Sequence, residues 1–152
     1  MRKIQRPPLQ EIVYGSAEPK ESIAISREVR AGRLRRIAPK LYTTNLKDPP
    51  ESIIRRHLYR ILARYYPGAV VSHRSALEGG VSRDDTIFLT YKYTKRVTLP
   101  GITIRLLKGK GPVDGDNSFM EGLYLASRPR ALLENMQPAR ARSSAPKSWS
   151  RE

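Results

Sequence analysis

A short basic segment carries the side chains with the clearest chemical potential. Residues 33–42 read RLRRIAPKLY, and four of these ten residues are cations: Arg33, Arg35, Arg36 and Lys40. A cluster of cations on a small rigid element suits contacts with phosphates, because a nucleic-acid backbone is a dense line of negative charge. The alternative interpretation is a solvated hairpin without a ligand. The interspersed aliphatic residues favour a folded element over a disordered basic arm.

Three more cations precede this segment and fall on a predicted helix: Lys20, Arg27 and Arg30. Such a helix can enter the major groove of DNA, where an arginine reads the edge of a guanine through two hydrogen bonds. Arginine is also an ordinary surface residue of helices. The sequence therefore leaves both interpretations open for these side chains, base recognition and simple solvation.

The helix that carries these cations has recognisable end signals. Ser16 is a candidate capping residue, and Glu18 and Pro19 suit a first helical turn. The helix is predicted to run to about Ala31. Gly32 then suits the left-handed conformation that ends many helices.

Two short strands are predicted directly after this helix, Arg35 to Ile37 and Leu41 to Thr44, joined by a turn at 38–40. Leu34 and Ile37 are three residues apart and cannot share one face of a strand, so the strand is expected to begin after Leu34. A helix followed at once by a basic hairpin predicts the helix-plus-wing arrangement of winged-helix proteins. The aliphatic side chains would attach the hairpin to the helix and leave the cations free to meet phosphates.

A second helix is predicted to run without interruption from Asp48 to Pro67. Asp48 is the expected cap, Pro49 the first helical residue and Glu51 the capping-box partner. Apolar residues at helical spacing predict one buried stripe, made of Ile53, Ile54, Leu58, Ile61, Leu62 and Tyr65. Three arginines are expected on the exposed side: Arg56, Arg60 and Arg64.

The chain that follows is predicted to alternate short strands and helices. A buried strand at Ala69 to Val71 precedes a brief helix capped by Ser72, and β-branched residues from Thr86 onward predict two or three more strands. The segment FMEGLYLAS, residues 119–127, is interpreted as another strand. Ser127 is the expected cap of a last helix.

These elements predict an α+β protein of 152 residues in three parts. Residues 1–47 are expected to form a winged-helix DNA-binding element, and residues 48–136 a small mixed α/β region packed against it. Residues 137–152 have almost no apolar side chains and are expected to be a flexible tail or linker, because too little apolar area is available to offset the entropy of ordering.

The charge of the chain limits the classes of partner. A net charge of +15 favours polyanions such as DNA, RNA or an anionic membrane, and an apolar content of 39% argues against a disordered polycation. There is no cysteine, which excludes disulfides and thiolate chemistry. The first ten residues lack the apolar region of a signal peptide, and no apolar run is long enough to span a bilayer. A cytoplasmic protein without a membrane partner is therefore expected.

No set of residues resembles a catalytic or metal-binding site. The two histidines, His57 and His73, fall in unrelated contexts and are expected to serve packing, so a zinc site is not predicted. The GKG at 109–111 lacks the spacing of a P-loop, and the S-x-x-K match at 144–147 lies in the predicted tail. We therefore expect no enzymatic activity, no cofactor and no metal.

Several segments resemble one protein family. REVRAGRLRRIAPKLYTT, AVVSHRSALEGG and GLYLASRPRALLENM are similar to the end of the recognition helix, the wing and the following segments of AbiEi-type antitoxins. These antitoxins are the transcription-regulating half of bacterial abortive-infection toxin–antitoxin pairs. The resemblance implies a winged-helix protein that binds double-stranded DNA and autoregulates a toxin–antitoxin operon, with a cognate toxin as a further partner.

The same module resembles the N-terminal region of some Fic-family proteins. DPPESIIRRHLYRILARYYPGAVVSHRSALE and YLASRPRALLENMQPARAR fit that version more closely. The chain lacks the Fic catalytic signature, a histidine followed by an acidic residue, Gly-Asn and arginine, so adenylyl transfer is not implied. This version implies instead an interaction module that restrains a partner enzyme, a toxin or a Fic domain, with the positive charge facing an acidic protein surface.

A third hypothesis is RNA binding. Tyr91 and Tyr93 are interspersed with Lys92 and Lys95, and aromatic rings beside cations are typical of surfaces that stack unpaired bases. Alternation along an ordinary half-buried strand explains the same four residues equally well.

Overall fold

The computed structural model describes residues 10–136, which fall into two compact units. Unit 1 consists of residues 10–61 and 98–102, and unit 2 of residues 62–97 and 103–136. The described residues combine helices with two β-sheets, so the predicted α+β class is confirmed. The tail predicted at 137–152 lies outside the described residues.

Unit 1 contains three short strands, β1 (Ile12–Tyr14), β2 (Arg35–Ala38) and β3 (Leu41–Thr43). They form an antiparallel sheet in the order β1-β3-β2. The β2–β3 hairpin agrees with the prediction, whereas β1 was not predicted. β1 pairs with the open edge of β3, with Ile12 opposite Thr43, and so completes the sheet from a distant part of the chain.

The β2–β3 hairpin turns more tightly than predicted. Ala38 pairs with Leu41, which leaves a two-residue turn at 39–40 in place of the three-residue turn expected from the sequence. The register shifts just before Ala38, which marks a β-bulge. Because a bulge inserts one residue, the consecutive residues Ile37 and Ala38 are both buried, which simple alternation along a strand does not allow.

Helix α1 (Pro19–Arg30) connects β1 to β2 in the chain. Its end agrees with the prediction, because Gly32 has a φ of +75°, a left-handed conformation that glycine adopts without strain. Its beginning differs. Glu18 occupies the capping position, and the hydroxyl of Ser16 accepts a hydrogen bond from the Glu18 N–H at 3.1 Å.

The prediction of one helix from Asp48 to Pro67 is wrong, because the segment forms two helices. α2 (Pro50–Arg56) and α3 (Leu58–Tyr65) are separated at His57, whose φ of −111° and ψ of 15° are not helical. The imidazole Nε2 of His57 lies 3.0 Å from the carboxylate of Glu11. This long-range contact lies at the break, and local helix signals do not contain it.

The start of α2 also corrects the prediction, because Asp48 does not cap the helix. Pro49 occupies the capping position without a side-chain hydrogen bond. The Asp48 carboxylate instead accepts hydrogen bonds from Asn45 Nδ2 at 2.9 Å and from Arg56 Nη2 at 3.0 Å. Asn45 Oδ1 accepts the N–H groups of Lys47 and Asp48, both at 3.0 Å, and thereby closes the loop before α2.

The buried stripe of α2 and α3 agrees with the prediction for five members, which are at most 3% exposed: Ile53, Ile54, Leu58, Ile61 and Leu62. Tyr65 is only half-buried. Tyr66 is buried instead, because it lies one helical turn after Leu62 and its N–H still donates to the Leu62 carbonyl at 2.8 Å, which keeps it on the buried face. The predicted ridge of arginines is exposed: Arg56, Arg60 and Arg64.

The second sheet is mixed and has six strands. They are β4 (Val70–Val71), β5 (Thr86–Tyr91), β6 (Lys95–Leu99), β7 (Ile102–Lys108), β8 (Asn117–Ser118) and β9 (Tyr124–Leu125). Their order is β6-β7-β5-β4-β9-β8. β5 runs parallel to β7 and β4 parallel to β9, whereas the β4–β5 and β8–β9 pairs are antiparallel.

Unit 2 also contains helices α4 (His73–Glu78) and α5 (Arg128–Met136), which begin where predicted and lie against each other. The predicted cap of α5 is confirmed, since Ser127 Oγ accepts the N–H of Arg130 at 3.3 Å. Ser72 occupies the capping position of α4 without a side-chain hydrogen bond to the helix backbone.

The strand predicted over residues 119–127 is shorter in the structure. A 3-10 helix (Met120–Gly122) interrupts it, and only Tyr124 and Leu125 pair as β9. Glu121 has a φ of 58°, which is incompatible with an extended strand.

Candidate nucleic-acid interface

One face of α1 presents the three predicted helix cations to solvent. Lys20 and Arg27 are two helical turns apart, and Arg30 follows one turn later, so they form a single ridge along the helix. All three side chains are exposed. Ile23 lies within this ridge and is 53% exposed.

An open apolar groove of about 560 Å3 lies between the adjacent face of α1 and the sheet of unit 1. Ile25 from α1, Val13 from β1 and Leu34 line it, and Leu46 contributes a side chain that remains 50% exposed. No residue of α1 is buried. The helix is therefore held along one side only, and its basic ridge remains uncovered within unit 1.

Arg33 forms an ion pair with another residue of the same surface. Its Nε and Nη2 donate to the two carboxylate oxygens of Glu28 at 2.7 and 2.8 Å, a two-point ion pair across the end of α1. The hydrogen bond from Arg33 lowers the pKa of Glu28. The pair is exposed, so its charges are screened by solvent. Arg33 thus closes the helix end and is a weaker candidate for phosphate contact than its neighbours.

Arg35 is engaged more completely. Its Nη2 donates to the backbone carbonyls of Asn45 at 3.0 Å and Asp48 at 2.6 Å, which ties β2 to the loop before α2. Its Nε is buried and has no hydrogen-bond partner among residues 10–136. The side chain therefore supports the local structure, and the sequence did not reveal this role because both acceptors are backbone atoms more than nine residues away.

Arg36 and Lys40 occupy the outer side and the tip of the hairpin. Arg36 is exposed and makes one weak contact, from its Nε to the Ala38 carbonyl at 3.4 Å. Lys40 sits in the turn with a φ of +58°, a conformation in which a lysine is strained relative to glycine. Gly15 permits the close approach of β1 to this turn, since a Cβ there would lie 3.1 Å from the Lys40 Cα.

The structure therefore divides the seven predicted site residues, all of which lie in unit 1. Arg35 is partly buried, and Arg33 is exposed but paired with Glu28. The other five are exposed on the helix ridge and the hairpin: Lys20, Arg27, Arg30, Arg36 and Lys40. The segment 20–40 contains seven cations and two carboxylates, and one of those carboxylates, Glu28, is already paired with Arg33. The surface formed by this segment is consequently strongly positive.

We expect Arg35→Gln to destabilise the protein, with a cost of about 1–3 kcal/mol, because two backbone carbonyls lose their donor. Arg36→Gln, the matched change at the next residue, should cost less than about 0.5 kcal/mol. Urea unfolding of both variants provides the comparison. Equal losses would show that the contacts of Arg35 do not support the hairpin.

A polar network that the sequence did not reveal holds β1 to α2. The Glu11 carboxylate contacts His57 Nε2 at 3.0 Å and Arg56 Nη1 at 2.5 Å, and it accepts from Asn45 Nδ2 at 3.2 Å. The hydrogen bond from His57 is the largest cause of the lowered pKa of Glu11, and Asn45 and Arg56 add to it. The network links the residue before β1 to α2 and to the loop that follows β3.

Unit 2 contains two carboxylates around Arg130. Asp116, whose side chain is fully buried, forms an ion pair with Arg130. Glu134 Oε2 lies 3.8 Å from Arg130 Nε, 3.4 Å from Thr90 Oγ1 and 3.8 Å from His73 Nδ1. Its other oxygen, Oε1, is buried and has no hydrogen-bond partner in the part of the chain that the structure describes. The cluster attaches α5 to the rest of unit 2.

These two carboxylates have opposite pKa shifts. Burial raises the pKa of Glu134, and the positive charge of Arg130 opposes this only in part. Burial also acts to raise the pKa of Asp116, but the N–H groups of Val113 and Ser127 and the guanidinium of Arg130 outweigh it, so the pKa of Asp116 is lowered.

We expect Glu134→Gln to raise the melting temperature at neutral pH. A carboxyl with a raised folded pKa destabilises the folded state while ionised, and this cost disappears as the pH falls through the folded pKa towards the ordinary value of 4.5. The advantage of the variant should therefore shrink on acidification. Thermal unfolding by circular dichroism across this pH range measures it.

Asp116→Asn is the matched control and should behave oppositely. A lowered pKa gives stability above the ordinary value of 3.8 that is lost as the pH falls through the folded pKa, so the asparagine variant should melt lower at neutral pH. A Glu134→Gln variant that also melts lower at neutral pH would contradict the assignment.

Comparisons with known proteins identify no relative of this chain. No family model matches the sequence, and no curated protein and no solved structure matches it. A search of the helices within residues 10–136 finds none long and apolar enough to cross a membrane. A functional assignment therefore rests on the geometry of the candidate interface.

Proposed function

We propose that this protein is a duplex DNA-binding regulator whose helix α1 enters the major groove and whose β2–β3 hairpin contacts the phosphate backbone as a wing. The observation that carries the proposal is the exposed cation ridge of α1, on a helix without a single buried residue. A helix that is held along one side and exposes Lys20, Arg27 and Arg30 along another has the form that a groove-binding helix requires.

The hairpin supplies the second part of this proposed interface. Arg36 and Lys40 are exposed close to or at its tip, where long cations reach phosphates without having to meet base edges. The strained φ of Lys40 supports a functional reason for a lysine at this position. Each phosphate contact should contribute about −0.9 to the slope of log K against log salt.

The resemblance to AbiEi-type antitoxins extends the proposal to a biological role. In that role the protein binds DNA upstream of its own gene, in the cytoplasm, and autoregulates a toxin–antitoxin operon. The proposal assigns no catalytic step and no cofactor to the chain.

A salt titration of DNA binding tests the proposal. Fluorescence anisotropy would measure the affinity of the full chain for a duplex from upstream of its gene and for a scrambled duplex of the same composition. We expect tighter binding to the upstream duplex and a linear fall of log K with log salt for both. Equal affinity for the two duplexes at every salt concentration would refute the regulator.

A second candidate function is the restraint of a toxin or a Fic-type enzyme, and the apolar groove beside α1 favours it. Leu46 is half exposed at this groove, which suits an apolar side chain of a protein partner. Leu46→Asp should then weaken association with the product of a neighbouring toxin gene and leave DNA binding unchanged. No association of the wild-type pair in size-exclusion chromatography would eliminate this candidate.

A further inference from the structure

One end of the second sheet brings together tyrosines and lysines from separate parts of unit 2. β5 and β7 are parallel, with Tyr91 opposite Lys108, so the loops that follow both strands emerge at the same end. The N–H of Lys108 donates to Thr94 Oγ1 at 3.0 Å, and the N–H of Gly109 donates to the Tyr91 carbonyl at 3.1 Å. The two loops are therefore joined directly.

Three tyrosine rings form a column from the interior of unit 2 to its surface. Tyr66 and Tyr91 pack edge to face with ring centroids 5.5 Å apart, and Tyr91 and Tyr93 do the same at 5.4 Å. Tyr66 is buried, Tyr91 is half-buried and Tyr93 is 45% exposed. The exposed ring of Tyr93 therefore packs on Tyr91, which in turn packs on the buried ring of Tyr66.

The chain segment that contains Tyr91 and Tyr93 carries charge of one sign only. Residues 86–113 contain no aspartate or glutamate and six cations: Lys92, Lys95, Arg96, Arg105, Lys108 and Lys110. Lys92 Nζ lies 5.7 Å from the centre of the Tyr91 ring. Within residues 10–136, no carboxylate forms an ion pair with any of the four lysines of this set.

A small cleft adjoins the column. It has a volume of about 210 Å3, and its lining includes Tyr91, Lys92, Gly68, Gly109 and Pro112. Gly109 is required there for space, since a Cβ at this position would lie 2.7 Å from Thr90 Cγ2. A glycine-lined cleft beside an aromatic ring is open to a flat group that approaches the backbone closely.

We infer that this end of the sheet binds single-stranded nucleic acid, with an unpaired base stacked on Tyr93 and phosphates contacted by Lys92, Lys95, Lys108 and Lys110. Every base has a π-face, so aromatic stacking tolerates any sequence, and lysines alongside follow the backbone. A duplex keeps its base faces inside the helix and cannot use the ring of Tyr93. The site belongs to unit 2 and is independent of the duplex interface on α1.

Binding of fluorescein-labelled oligo(dT) and oligo(U) of about twelve nucleotides to the full chain tests this site. Tyr93→Ala should weaken binding by about 5- to 100-fold, and Tyr93→Trp should retain it, because the loss is one of stacking. Met120→Ala, at another exposed apolar side chain of unit 2, should leave the affinity unchanged. Lys92→Gln should reduce the slope of log K against log salt by about 0.7.

An oligonucleotide with abasic positions separates stacking from charge. It should bind the wild type as weakly as the normal oligonucleotide binds Tyr93→Ala, and it should not distinguish the two proteins. The site is overturned if the wild type fails to bind either oligonucleotide at low salt. It is equally overturned if Tyr93→Ala has a melting curve like the wild type and binds the normal oligonucleotides as tightly. A third contrary result is that Tyr93→Ala weakens binding to vesicles of anionic lipid instead of binding to the oligonucleotides. Duplex affinity should be unaffected by Tyr93→Ala.

Discussion

Replacing Arg27 by alanine should weaken binding to the cognate duplex by roughly 1–3 kcal/mol and affect a scrambled duplex much less. Arg27 lies in the middle of the exposed ridge of α1, between Ile23 and Arg30, where a helix in the major groove meets base edges. A bidentate contact with guanine is lost only where the guanine is present. The difference in affinity between the cognate and the scrambled duplex should therefore become smaller in the variant. The measurement is anisotropy with both duplexes at one salt concentration.

Arg36→Ala is the matched control for this prediction. If Arg36 contacts phosphate, its loss should weaken binding to both duplexes by similar factors. It should also reduce the slope of log K against log salt by about 0.9. Lys47→Ala, an exposed cation of unit 1 outside the helix and the hairpin, should change neither quantity. If Arg27→Ala also weakens both duplexes equally, α1 contacts only the backbone and the proposed base recognition is wrong.

The second large effect concerns stability. Leu58→Ala should lower the free energy of unfolding by about 2–5 kcal/mol, because Leu58 is 3% exposed and its removal leaves a cavity beside the buried stripe of α2 and α3. Urea unfolding followed by circular dichroism measures the change. The position is informative because Leu58 begins α3, directly after the break at His57.

Leu133→Ala is the control with the same chemistry. Leu133 lies on α5 and is 66% exposed, so the same truncation should cost less than about 0.5 kcal/mol. Similar losses at Leu58 and Leu133 would mean that the stripe is not the support of the fold.

Much of the local structure could be predicted because its signals lie within a few residues. Gly32 ends α1 in the left-handed conformation, Ser127 caps α5 through its hydroxyl, and the apolar period of 53–62 marks the buried face. The basic hairpin was also predictable, since Pro39 and Lys40 lie between two short runs of strand-forming residues. In each case the backbone and the side chain that decide the conformation are neighbours in the chain.

The tertiary structure alone decided which cations hold the local structure and where the long predicted helix is interrupted. Arg35 is held by carbonyls ten and thirteen residues away, and His57 is held by Glu11 across 46 residues. β1 forms only because β3 offers it an open edge. Spacing along a sequence predicts the face of a helix or strand on which a residue lies. The hydrogen-bond acceptor that its side chain contacts depends on how distant segments pack. For that reason the sequence indicated a basic surface, and only the fold could distinguish the arginines that hold the local structure, Arg33 and Arg35, from those of the helix ridge and the hairpin.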